Sequence, residues 1–254
     1  FKPLLLERGE SVKDRSIQAY GFWSRRCKLS VDSNVQFGEG GAGTFSDGKL
    51  YSQITDPDNY RRKVLEEFVQ SGASEDILIN NRPHIGTYKL AAIVRKFRSR
   101  IEDLGGEIRF GAKMEELVLK KRLTKKFNDK DFEVEGIKLA DGSFLKTKYL
   151  ILALGHSARD SFRMLDRVGV YLEQKLFAVG FRIEHLQCKV DQERWGEMSG
   201  HPSLGRAEYK LVYHSRNGRN VYSFCMCPGG QVVGAASDEE CVVTNGMSQH
   251  TRNE

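Results

Sequence analysis

Glu7 closes a short apolar run, "KPLLLERG". A carboxylate at the end of the second strand of a dinucleotide fold accepts hydrogen bonds from a ribose 2′-hydroxyl. Taken alone, the same residue also reads as a surface carboxylate ahead of a turn. Residues 36–53, "QFGEGGAGTFSDGKLYSQ", hold five glycines: Gly38, Gly40, Gly41, Gly43 and Gly48. Glycine costs conformational entropy and packs no core. Such a run suits backbone that approaches a pyrophosphate or a flat ring, or a purely structural turn. A third candidate is "ILALGHSARDSF", where an apolar strand ending Ala153-Leu154-Gly155 lets backbone pass close to a ligand. His156 and Ser157 then fall at a helix start. There His156 could donate a proton or contact an anion, or be an ordinary loop histidine.

Other chemistries lack their residues. A phosphate loop needs Gly-Lys-Ser/Thr, and Asp47-Gly48-Lys49-Leu50 puts a leucine where the hydroxyl belongs. No Val-Ala-Ile-Lys strand follows the glycines, as a kinase requires, and no Gly-x-Ser-x-Gly elbow occurs. The six histidines, at 84, 156, 185, 201, 214 and 250, are scattered, so no metal site is expected. Cys27, Cys188, Cys225, Cys227 and Cys241 are odd in number and irregular in spacing, which speaks against a disulfide framework. Cys225 and Cys227 share one face of a strand. They read as thiols in or near a buried strand, or as one thiol near a cofactor.

These residues need elements to hold them. The apolar run before Glu7 predicts a buried strand, and Ser11 with Asp14 forms a capping box for a helix from Val12 to about Trp23. Asp56-Pro57 opens a helix that stops at Gly72. Thr87 caps another that ends at Gly105-Gly106, its face made of Leu90, Ile93, Val94, Phe97 and Ile101. "EIRF" reads as a parallel strand. "AKMEELVLKK" and "DFEVEGIKLA" form a hairpin around the polar "TKKFNDK", with a second turn at Asp141-Gly142. "YLILALG" reads as a buried strand of the doubly wound kind, followed by a helix from Ser157 to Gly169. From 177 to 243 the pattern is mostly β, in "LFAVGFRIEHL", "AEYKLVYH", "NVYSFCMC" and "QVVGAAS", with a tight hairpin at Asn217-Gly218.

The expected fold class is α/β: an incomplete doubly wound domain at 1–170 that includes the hairpin region 113–148. A β-rich insertion follows at 171–243, and 244–254 return toward the first domain. The 254 residues are 39% hydrophobic and 29% charged with a net charge of +6, a globular composition. "LKKRLTKK" and "RRK" lack the aromatics of a nucleic-acid platform, so they read as solvated edges and no nucleic-acid partner is expected. No stretch reaches the length of a membrane span, and a cytoplasmic (or organellar) location is expected. The chain begins on "FKPLLLERGE" without methionine, which suggests a fragment of a longer protein.

Together, Glu7-Arg8-Gly9, "NVQFGEGGAGTFSDGKL", "NRPHIGT", "YLILALGHSARDSFRML", "YSFCMCPGG" and "TNGMS" resemble an FAD-dependent dehydrogenase family, one often described only as uncharacterised. It sits among flavoproteins with a glutathione-reductase-like FAD domain. The resemblance runs from residue 1 to about 252. That family's N-terminal Gly-x-Gly-x-x-Gly unit and its C-terminal FAD contacts are not in these 254 residues. The resemblance implies an FAD-dependent oxidoreductase, with Glu7 at the adenosine ribose and Arg8 among the cofactor-binding residues. The backbone of Gly38, Gly40, Gly41, Ala42, Gly43, Thr44 and Ser46 would line the isoalloxazine or pyrophosphate. Lys113 and Met114 would meet the adenine edge through backbone atoms, Ala153, Leu154 and Gly155 would pass under the dinucleotide, and His156 is counted among the cofactor-binding residues. It further implies a β-rich substrate domain and a small-molecule substrate or electron donor, NAD(P)H being one candidate. The alternative is a flavin-binding protein without turnover of its own, since no clear acid/base pair or redox disulfide stands out.

Overall fold

The computed structural model describes residues 2–46, 48–50, 55–80, 83, 85–121, 132–224 and 226–248. They belong to two compact units, each discontinuous in sequence. The first comprises Phe1–Gly41, Arg98–Val179 and Ser237–Glu239; the second, Ala42–Phe97, Gly180–Ala236 and Glu240–Glu254.

In the first unit, β1 (Leu4–Leu6) pairs in parallel with β2 (Glu107–Arg109), Leu5 opposite Ile108. Backbone bonds from Glu7 N to Arg109 O and from Ala112 N to Glu7 O carry the pairing past the strand ends. Helix α1 (Val12–Trp23) begins as its capping box requires: Ser11 Oγ accepts from Asp14 N and donates to the Asp14 carboxylate at 2.6 Å. β3 (Met114–Lys121), β4 (Phe132–Leu139) and β5 (Phe144–Lys146) form an antiparallel meander. Helix α4 (Arg159–Arg167) lays Met164 and Leu165 on it, against Leu117, Ile137 and Leu139. Each such buried side chain contributes about 1.5–3 kcal/mol.

In the second unit, α2 (Tyr60–Gln70), a 3₁₀ turn at Glu75–Leu78 and residues 87–97 of α3 (Thr87–Asp103) enclose a core of Ala73, Ile77, Ile85, Leu90 and Ile93. Phe68 and Phe97 meet edge to face at 5.2 Å. Helix α5 (Gln187–Trp195) precedes two hairpins, β6 (Val212–His214) with β7 (Asn220–Tyr222) and β8 (Gly230–Gly234) with β9 (Thr244–Ser248). Asp191 on α5 is buried: its Oδ1 accepts from Gln187 Nε2 and Ala207 N, both at 2.7 Å, and Arg206 pairs with its Oδ2. Gln187 Oε1 in turn accepts from Gly229 N at 3.0 Å.

Several expected elements differ. "YLILALG" is not a strand. Residues 149–155 pair with no described strand, and Tyr149 and Ile151 are 91% and 92% exposed. Only Leu150 and Leu154 rest on the α4–meander core. Backbone that finds no neighbouring strand has no ladder to join, whatever its side chains prefer. "LFAVGFRIEHL" forms no strand either, for the same reason. The β pattern at 177–243 is interrupted by α5, whose polar composition, "QCKVDQERW", gives helical structure no apolar stripe by which to announce itself. The helix expected to open at Asp56-Pro57 starts at Tyr60, although Asp56 still accepts from Tyr60 N and Arg61 N. The hairpin loop expected at "TKKFNDK" lies outside the described residues.

Candidate functional site

Glu7 leaves β1 and turns its carboxylate onto the glycine-rich loop. Its Oε1 accepts from Gly9 N at 2.9 Å and from Gly38 N at 3.0 Å. Among the described residues its second oxygen has no hydrogen-bond partner. The contact needs bare backbone on both sides: a Cβ on Gly9 would stand 2.7 Å from Gly38 N, and one on Gly38 2.3 Å from Arg15 Cδ.

Arg15 comes up from α1 beneath this loop and is fully buried. Its guanidinium donates to five backbone carbonyls: Nε to Asn34 (2.8 Å), Nη1 to Gly38 (2.9 Å) and Glu39 (2.6 Å), Nη2 to Val35 (2.8 Å) and Gly41 (2.7 Å). Burial lowers its pKa to about 10, with the charges of Glu7 and Glu39 acting in the opposite sense. Glu39 ties the loop back to α1. Its Oε2 accepts from Val12 N at 2.7 Å and faces Arg98 at 3.4 Å. Asn34 closes the loop's entrance, its Oδ1 accepting from Gln36 N and Phe37 N.

Arg8 points away from Glu7. Its guanidinium lies 4.3 Å from the Phe37 ring centroid and bonds Asp32 Oδ1 (2.5 Å) and both oxygens of Asp160 (3.0 and 2.7 Å). Lys113 Nζ joins the same two acids at 3.3 and 3.0 Å. The hydrogen bond from Arg8, helped by Lys113, holds Asp160 well below the usual carboxylate range. Burial works to lower the Arg8 pKa, and the bonds to Asp160 and Asp32 outweigh it, leaving the pKa raised. Arg8 was expected among the cofactor-binding residues and Lys113 as a contact through its backbone; in the structure both side-chain charges pair with Asp32 and Asp160.

The other expected site residues are placed as follows. Met114 begins β3 opposite Leu139, with its side chain on the core. Ala153, Gly155 and His156 are exposed and Leu154 half-buried; Gly155 has φ +70° and open space beside it. Gly40 and Gly41 have φ of +85° and +58°. In the second unit, Ala42–Phe45 form a 3₁₀ turn that buries Thr44 and Phe45, and Ser46 Oγ donates to Gly43 O at 3.0 Å. Asn245 Nδ2 bonds Phe45 O. Asp47, His84 and Cys225 lie outside the described residues. Cys227 is half-buried, and Lys49 Nζ donates to its Sγ at 3.2 Å.

Residues 176–254 match the family described as "FAD-dependent protein, C-terminal domain-like". The match supports an FAD-dependent family. A protein of Clostridium beijerinckii (strain ATCC 51743 / NCIMB 8052), described as an uncharacterized protein, is 43% identical over 253 residues, covering 99% of this chain and 45% of the relative. The chain thus spans less than half the length of that relative. Among the described residues no helix is long and apolar enough to cross a membrane, and no group of His, Cys, Asp or Glu is arranged to hold a metal ion.

Glu7 fits one part of FAD. A carboxylate with one oxygen fixed by two backbone amides and the other open is suited to accept from a ribose hydroxyl. Sequence reasoning missed what supports it. Arg15 and Asp32 lay in no motif, Asn34 opened the glycine-rich motif without a role of its own, and Asp160 read as an ordinary helix charge. A polar Asn-x-x-Phe entrance ahead of the glycines was the available signal for Asn34, since Asn closes turns onto backbone two and three residues on.

Proposed function

We propose that the chain belongs to an FAD-dependent oxidoreductase of the glutathione-reductase-like type, with Glu7 binding the adenosine ribose of FAD. The observation that carries this reading is the Glu7 carboxylate at the end of a parallel strand, held by Gly9 and Gly38, its other oxygen without a hydrogen-bond partner among the described residues. The family match at 176–254 supports the choice of FAD over other dinucleotides.

When bound, FAD supplies the redox chemistry and the protein supplies binding and orientation. Glu7 accepts from the ribose. The backbone at Gly40 and Gly41 offers close approach without side chains. Arg8 and Lys113, neutralised by Asp32 and Asp160, attract no extra phosphate to the ribose, which favours a free 2′-hydroxyl there. The substrate is a small molecule, and NAD(P)H is a candidate electron donor.

An absorbance spectrum of the purified full-length protein, with the cofactor identified after heat release, tests this reading. Flavin bands and released FAD are expected, and Glu7→Ala should weaken FAD about ten- to hundredfold, the worth of a hydrogen bond to a charged group. A colourless protein that takes up no FAD on incubation would refute it. Flavin that neither nicotinamide bleaches, in a protein without oxidase activity, would leave a binding protein without turnover.

A further inference from the structure

We propose that Arg15, which lies under the glycine-rich loop and is fully buried, is the positioning residue for the adenosine ribose: it sets the Glu7 carboxylate by holding the loop on which that carboxylate rests. This rests on the reading that Glu7 binds the ribose of FAD.

The linkage runs through Gly38. Its amide donates to Glu7 Oε1, and its carbonyl accepts from Arg15 Nη1. The two polar groups of one residue are thus gripped from opposite sides, one by the ribose acceptor and one by the arginine. The grip is broad, because Asn34, Val35, Glu39 and Gly41 give their carbonyls to the same guanidinium. A loop of this kind has no strand or helix of its own to satisfy those groups. The planar fork of arginine serves several acceptors at fixed angles, which a lysine ammonium cannot do.

Packing alone does not account for the residue. A buried charge is costly to desolvate, and apolar side chains of similar volume often fill such places at no loss of stability. Arg15 is engaged by the loop itself: its guanidinium donates to the carbonyls of Asn34, Val35, Gly38, Glu39 and Gly41. The far end of the loop is fixed to the same helix through Glu39 and Val12 N. Helix α1 and the loop are therefore tied together at both ends of the loop beneath Glu7.

The test compares FAD with its 2′-deoxyadenosine analogue on the full-length protein, in the parent and in Arg15→Lys and Arg15→Gln, alongside hydrogen exchange of residues 34–41. The parent should prefer FAD by about tenfold. Both variants should bind FAD more weakly and lose that preference, with faster exchange at 34–41 and unchanged protection of β4. A general loss of stability would not remove the preference for the hydroxyl. A folded variant that keeps the parent's preference overturns the proposal. Failure of both variants to fold also overturns it, because Arg15 then serves the fold alone. A parent that binds FAD and the analogue equally refutes the reading of Glu7 itself, a result separate from any behaviour of the variants.

Discussion

Gly38→Ala and Gly41→Ala form a matched pair that isolates the contact between the loop and Arg15. Both glycines have positive φ, +118° and +58°, so both substitutions strain the backbone by about 1–2 kcal/mol. Only at Gly38 does the new methyl collide: it would stand 2.3 Å from Arg15 Cδ and 2.9 Å from Nε, whereas at Gly41 nothing lies within 4 Å. Arg15 cannot swing aside without giving up hydrogen bonds to five carbonyls, so the collision acts as overpacking and adds about 1–3 kcal/mol. Gly38→Ala should therefore cost about 2–5 kcal/mol and Gly41→Ala about 1–2 kcal/mol. The difference can be read from urea midpoints followed by hydrogen exchange of peptides spanning residues 9–41. Equal midpoints for the two variants would refute the idea that Arg15 is clamped against Gly38.

Two further perturbations address the rest of the first unit. The pKa of Asp160 lies below its ordinary 3.8, so its ion pairs stabilise the fold fully above that value, and the stability is lost as pH falls through the folded pKa. Asp160→Asn should be less stable at neutral pH, and its acid titration should be flatter than the parent's below about pH 4; parallel acid curves would refute the pairing. Met164→Ala, beneath the meander, should cost about 2–5 kcal/mol by thermal unfolding, and a loss well under that range would mean that the α4 contact is not part of the core.

The local features were the legible ones. Ser11 and Asp14 marked the start of α1, the two runs flanking the polar "TKKFNDK" marked the central hairpin, and Leu90 and Ile93 marked the buried face of α3. Each depends on neighbours within a turn of helix or across one hairpin, which periodicity records. "YLILALG" failed because an apolar run states a preference for burial and not what will cover it. Arg15 was invisible for the opposite reason. A charged residue in a helix reads as surface, and its burial is decided by carbonyls that lie 19 to 26 residues on. The tie of Arg8 to Asp160 spans 152 residues and left no local trace at all. Glu7 was correctly placed at a strand end, but its grip on Gly38 emerged only from the folded loop.

The separations within the loop bear on the order of assembly. The hydrogen bonds from Arg15 to the loop close segments of 19 to 26 residues, whereas β1 must find β2 about a hundred positions away, Leu4 against Glu107. Closing a short loop takes less chain entropy than closing a long one, and local contacts form faster. Helix α1 and the glycine-rich segment can thus join while β1 still lacks its neighbour. The polypeptide would then carry a preformed seat for Glu7 into the slower search for the parallel strand.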